Sequence, residues 1–280
     1  MSFSTPVSSS ASTSTPGNTD ANHTPQQLFD DNRIAYSYGS KGNISWCCWN
    51  DSKGEDCFVV SDSVSDKCEA HVFDGHGGRD FVRAIAGEFE KRDGQGGENV
   101  VKLYSEINEK GRDIARVRNK GGTTVVSIFV EYSSEGKKII TVANAGDSAC
   151  YGIKREGGYV LLTKPHKATS LDEINRVGKE NIEFDRLDGC LMVTRGVGDY
   201  EFERNGMICE PHVVSFKDDG DDWKGFVLGS DGVFDFISVN DEQFSIKGSN
   251  IEGAELAKLF VEMASTGGSN DDKTVVVVST

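Results

Sequence analysis

Acidic residues stand at the ends of apolar, β-type runs throughout this 280-residue chain, and that placement limits the folds open to it. Glu55-Asp56 opens the run Cys57-Phe58-Val59-Val60, and Asp74 closes Ala70-His71-Val72-Phe73. Asp147 follows Thr141-Val142-Ala143-Asn144-Ala145-Gly146. Asp231 ends Phe226-Val227-Leu228-Gly229-Ser230, with Asp235 shortly after, and Asp271-Asp272 precedes Thr274-Val275-Val276-Val277-Val278. Strands that end this way can gather their carboxylates at one mouth of a sheet sandwich. Like charges in a low-dielectric cleft repel, so such a cluster calls for cations. Mg²⁺ or Mn²⁺, with oxygen and water ligands, is the natural counter-charge. No Cys/His pair has the spacing of a zinc site. A single acidic residue at a strand end is an ordinary turn residue, so the joint pattern carries the weight.

The segment Val72-Phe73-Asp74-Gly75-His76-Gly77-Gly78 concentrates this chemistry. Asp74 offers hard oxygen ligands, and Gly75 lets a backbone carbonyl approach a metal ion. His76 offers a proton near neutral pH.

Charge and cysteine usage exclude other classes. The formal charge of −15, from 45 acidic and 30 basic residues, argues against a grip on nucleic-acid phosphates. The 7 cysteines are odd in number and form no CxxC pair, which fits reduced thiols rather than a disulfide scaffold. No apolar run approaches the ~20 residues of a membrane span, and no secretory leader is evident. A cytoplasmic or nuclear location is the expectation, with no membrane contact; the oligomeric state is not legible.

Residues 1–30 are rich in Ser, Thr and Pro and nearly free of apolar side chains. A disordered tail is expected there, because too little surface can be buried to offset ordering. Residues 31–280 read as one folded domain. Strands are expected over 33–38, 44–49, 56–61, 68–74, 122–131, 138–145, 148–154, 158–163, 190–194, 211–216, 225–230 and 274–279. Helices are expected over 78–92, 98–119, 170–177 and 251–266, with Gly111 weakening the second. Strand blocks separated by helices suggest an α+β fold, with a sheet core flanked by helices.

These blocks, in this order, resemble the metal-dependent serine/threonine protein phosphatases of type 2C. The matching segments are Gly54-Glu55-Asp56, Val72 to Gly78, Gly121-Gly122-Thr123-Thr124 and Asn144-Ala145-Gly146-Asp147-Ser148. They continue with Leu191 to Asp199, Glu210-Pro211-His212-Val213, Gly229 to Asp235 and Ser269 to Thr274. The resemblance implies a four-layer α-β-β-α sandwich of two antiparallel sheets, with a metal site at one end and 31–280 as the catalytic domain. It implies that Asp74 bridges two Mg²⁺ or Mn²⁺ ions and that the Gly75 carbonyl binds one. Asp231 and Asp271 would hold the first ion and Glu55 the second, through water. Asp147 and Asp235, with Asp231 shared, would match a weaker third position. His76 would be the general acid. The substrates implied are phosphorylated Ser/Thr proteins, hydrolysed by water deprotonated between the two metals.

Other residues read less sharply. Thr123 and Thr124 are expected in packing, with a hydroxyl near a metal-bound water as the alternative. His71 is expected as a satisfied strand residue, and Arg195 as the partner of an acid such as Asp199, with phosphate binding as its alternative. Residues 164–190 resemble a short flap, in which His166 is a candidate substrate contact. Two departures stand out. The family usually carries an Arg, four residues before the Glu, that grips phosphate; here Asp51 stands there, with Lys53 and Lys41 as candidate substitutes. Asp272 replaces the usual Asn after the last ligand. The loss of the Arg keeps open a catalytically weak or inactive signalling scaffold. A two-metal nuclease is disfavoured by the charge.

Overall fold

The computed structural model describes residues 36–50, 53–63, 67–94, 97–117, 121–218, 222–239 and 252–280. The expected tail over 1–30 and the departure at Asp51 lie outside them. In chain order the first elements are β1 (Tyr36–Lys41), β2 (Ile44–Trp49), β3 (Asp56–Ser63), β4 (Lys67–His76), α1 (Arg79–Glu90) and α2 (Val100–Val117). Next come β5 (Gly122–Thr123), β6 (Val125–Tyr132), β7 (Lys138–Ala145), β8 (Ala149–Lys154), β9 (Tyr159–Leu161) and α3 (Leu171–Val177). Two-residue strands β10 (Ile182–Glu183), β11 (Arg186–Leu187) and β12 (Val197–Gly198) follow. The chain closes with β13 (His212–Asp218), β14 (Trp223–Gly229), α4 (Asp231–Phe234), α5 (Gly253–Thr266) and β15 (Lys273–Ser279).

Alternation along β4 shows how the layers face. Ala70 and Val72 pack with Phe58, Val126, Phe226 and Val276, whereas Phe73 packs with Phe81, Ile85, Phe89 and Tyr104. A strand apolar on both faces lies between two layers. One sheet runs β1-β2-β15-β14-β8-β9; the other runs β12-β5-β4-β6-β7-β13, with β3 also paired to β4. The ladders within both are antiparallel. Helices α1 and α2 cover the second sheet through Phe81, Ile85, Phe89, Leu103 and Ile107. Helix α5 covers the first through Leu256, Phe260 and Val261. The result is the expected α-β-β-α sandwich.

Gly111 does not break α2, because a side chain there would run into the Tyr200 hydroxyl. Close packing overrides the propensity cost. The strand expected over 122–131 is split between Thr123 and Val125. The strand expected over 190–194 does not form. Val193 makes only an isolated bridge to Lys167, while Leu191 is spent on a turn with Leu187. Among the described residues no helix is long and apolar enough to cross a membrane.

Candidate functional site

The inward-facing positions of the strands turn polar at one end of the sandwich. Phe58 and Val60 face the inter-sheet core, and Asp56 shares their parity. The same rule places Asp74 after Val72, Ser230 after Leu228, and Thr274 and Asp272 before Val276. Register then brings Asp56 opposite Asp74. Buried polar groups need partners, and these find them across the gap between sheets. Ser230 Oγ donates to Asp56 Oδ2 at 2.7 Å, and Asp272 Oδ2 accepts the Glu55 N–H at 2.8 Å. Thr124 Oγ1 and Ser148 Oγ lie 2.6 Å apart, and the Thr124 N–H donates to the Asp74 carbonyl at 2.9 Å. Thr123 and Thr124 are thus the packing residues expected, and Asp272 is a buried brace under Glu55.

Carboxyls crowd this mouth. Burial, followed by the charges of Asp56 and Asp231 and a hydrogen bond to Asp231, pushes the Asp74 carboxyl well above the usual range. Burial raises Asp231 as well. It carries Asp56 to about 8 and, with the Asp231 charge beside it, Asp147 to about 7. Asp147 Oδ2 is buried without a hydrogen-bond partner. These groups resist ionisation first because they are buried and then because negative charges crowd together, and a divalent cation with oxygen ligands fits such a cluster.

Among the described residues no three His, Cys, Asp or Glu side chains converge as a ready metal cage. The contacts of the expected ligands explain this. Glu55 Oε1 accepts the Gly78 N–H at 2.7 Å, at the start of α1. Asp271 Oδ1 faces Lys53 Nζ at 3.2 Å, and Asp235 Oδ2 faces Lys167 Nζ at 2.6 Å. Asp74 and Asp231 bond to each other. Gly75 is required by its surroundings: a Cβ there would lie 2.7 Å from the Glu55 carbonyl and 2.8 Å from Val82 Cβ. The approach is tight because the Gly75 N–H donates to that same carbonyl at 3.1 Å.

His76 lies at the end of β4, beside this cluster. Its Nε2 sits 2.8 Å and 2.9 Å from the two Asp199 oxygens. Burial alone would lower its pKa, but the Asp199 hydrogen bond and charge outweigh burial and raise it. Asp199 is 4% exposed and has a left-handed backbone, φ 53°, anchored by its N–H on the Gly121 carbonyl.

Arg195 does pair with an acid, as expected, but Asp199 is not that partner. Arg195 Nη2 binds Glu173 Oε1 at 2.7 Å, leaving Asp199 to His76. Glu173, on α3, also accepts from Arg176 and Thr194, at 2.7 Å and 2.6 Å. Sequence reading missed Glu173; the Glu173/Arg176 helical spacing was its one visible signal. His166 is 1% exposed, with Nδ1 accepting the Gly146 N–H at 3.3 Å. Burial and the Arg195 charge lower its pKa to about 4, so it is a neutral anchor of the flap rather than a substrate contact. His71 Nδ1 lies 2.8 Å from Ser127 Oγ inside the core. Its buried Nε2 has no hydrogen-bond partner among the described residues and only the Glu69 carboxylate at 3.6 Å, so the expected satisfied strand residue is satisfied at one nitrogen only. Lys41 pairs with Ile44 at the far end of β2 and is removed as a phosphate-binding candidate; Lys53 remains at the mouth.

Comparison with known proteins agrees with this layout. The solved serine-threonine phosphatase 2C from Toxoplasma gondii superposes with a TM-score of 0.65 at 15% identity, covering 86% of this chain and 96% of that one. A solved C. elegans sex determining protein gives 0.68 at 23% identity, over 86% of this chain and 65% of that one. These likenesses establish the fold. Protein phosphatase 2C homolog 1 of Saccharomyces cerevisiae is 35% identical over 126 residues, covering 44% of each chain. Protein phosphatase 2C homolog 4 of Schizosaccharomyces pombe is 30% identical over 131 residues, 44% of this chain and 34% of that one. The chain thus spans less than half the length of these curated relatives. The family model described as Protein phosphatase 2C matches residues 53–271, from Lys53 at the mouth through Asp271. With that match over most of its length and the same sandwich fold, the chain belongs to the protein phosphatase 2C family.

Proposed function

We propose that this chain is a metal-dependent protein phosphatase that hydrolyses phosphoserine and phosphothreonine. The observation that supports the reading is the Asp74–Asp231 bond between strand ends of the two sheets, with the Asp271 charge beside Asp231 and a histidine held by a buried carboxylate nearby. Asp74, Asp231, Asp271, Glu55 and the Gly75 carbonyl would hold two Mg²⁺ or Mn²⁺ ions. Such ions, when bound, supply the Lewis acidity that makes water nucleophilic near neutral pH and offset charge on the transferring phosphoryl group.

The chain's own residues do the rest. Asp272 fixes the Glu55 backbone through its N–H, and Ser230 holds Asp56 beneath the cluster. Asp199 engages His76 at Nε2, which leaves Nδ1 to hand a proton to the departing Ser or Thr oxygen. Lys53, more than half exposed at the mouth, supplies a point charge for incoming phosphate. No Cys or Ser nucleophile enters this scheme, and the buried Cys48, Cys57 and Cys150 thiols, each pushed up mainly by burial, match that role in packing.

The test is release of phosphate from a phosphothreonine peptide, with Mn²⁺ or EDTA, for the wild type and Asp74→Asn. Release that depends on Mn²⁺ and is lost in the variant is expected. Equal release from both proteins rejects the reading; no release from either leaves the family's fold serving as a binding scaffold.

A further inference from the structure

The position that the family resemblance gives to a weaker third ion holds a side chain of the chain itself. Lys167 enters from the base of the flap, where it bridges Val193 and where the next residue's N–H binds the Met192 carbonyl. Its Nζ lies 2.6 Å from Asp235 Oδ2 and 3.6 Å from Asp147 Oδ2. The Asp147 side chain is 3% exposed, so bulk water does not solvate its charge. Its Oδ2 makes no hydrogen bond, and the ammonium stands within ion-pair range of that atom. A divalent ion shared by Asp147 and Asp235 needs these oxygens at about 2.1 Å and the space between them. The ammonium takes both.

We propose that Lys167 is the resident cation of the Asp147–Asp235 pair and excludes a third divalent ion from it. The inference rests on the phosphatase reading only for the two core ions. Those ions strengthen the exclusion, because another dication would enter against their charge as well as the lysine's. Since Lys167 is carried by the flap, the same contact ties the flap base to the acidic mouth.

Mn²⁺ bound per full-length chain, counted by equilibrium dialysis, tests this. Lys167→Met is expected to bind one more ion than the wild type, and Lys167→Met/Asp147→Asn to lose that gain. Asp235→Asn is expected to bind the same number as the wild type, because Asp235 serves a lysine and not an ion. Equal counts for the wild type and Lys167→Met overturn the proposal, as does loss of an ion from Asp235→Asn. Should Lys167→Met fail to fold by circular dichroism, Asp235→Asn decides alone, since its side chain is half-exposed. The core ions are judged separately, by the wild-type total and its fall in Asp74→Asn. A failure there leaves the one-ion difference readable.

Discussion

Replacing Glu173 by Gln removes the anion that ties the flap to the sandwich. Glu173 is 2% exposed, and Arg195 and Arg176 each approach one of its oxygens at 2.7 Å. Burial pushes this carboxyl up, but the hydrogen bonds from Arg195, Arg176 and Thr194 prevail and lower its pKa from 4.5 to about 2. Each tenfold change in the ionisation constant is worth about 1.4 kcal/mol, so the depression stabilises the folded state by roughly 3 kcal/mol at pH 7. The group's folded pKa lies below its unfolded one. Its contribution is therefore complete above pH 4.5 and is lost as pH falls through about 2. Urea unfolding of Glu173→Gln at pH 7 should show a loss of that order, since an amide accepts a hydrogen bond but balances no guanidinium charge. The gap between variant and wild type should narrow steadily in acid. A loss below about 0.5 kcal/mol at pH 7, the range of an ordinary surface change, would refute the argument. So would a gap that stays constant down to pH 2.5.

Two further perturbations address the mouth. Asp199→Asn should slow phosphothreonine-peptide hydrolysis by about 10²-fold or more, the usual worth of a positioned acid. p-Nitrophenyl phosphate, whose phenolate departs unprotonated, should be slowed much less. Equal losses on the two substrates in parallel kcat measurements would assign Asp199 a purely structural role. In EDTA, Asp56 and Asp147 keep protons up to about 8 and about 7, which carboxyls of the unfolded chain release near pH 4. With folded pKa values raised, stability should fall as pH climbs from about 4 through 8. Melting temperatures should follow that fall in EDTA, and millimolar Mn²⁺ should flatten it by binding the folded state. A metal-free protein that melts higher at pH 8 than at pH 5 would contradict the surplus of buried negative charge.

Much of this site is written in short-range pattern. The parity that buries Phe58 and Val72 also aims Asp56 and Asp74 at the same face, and the β3–β4 register sets them opposite each other. Long-range pairing is another matter. Asp199 reaches His76 across 123 residues, and nothing local distinguishes it from a partner for Arg195, four residues before it. Glu173 takes its second arginine from beyond the flap, a choice made by packing. The hairpin β10–β11 escaped notice because Phe184 and Asp185, at φ 51° and 60°, occupy a turn usually marked by Asn-Gly. The run at 190–194 has strand-like composition but no neighbour along which to form a ladder, and its backbone groups instead fasten the flap.

The braces between Glu55 and Asp272 and between Asp56 and Ser230 span two different sheets. Asp74 rides on one sheet, while Asp231 and Asp271 flank strands of the other. The separation of these carboxylates is therefore inherited from the thickness of the hydrocarbon layer beneath them, set by side chains such as Phe58, Phe226 and Val276. If these carboxylates hold the proposed ions, affinity for them becomes a gauge of interlayer spacing. A methylene gained or lost deep in the sandwich retunes the mouth at a distance, with every carboxylate there left unchanged.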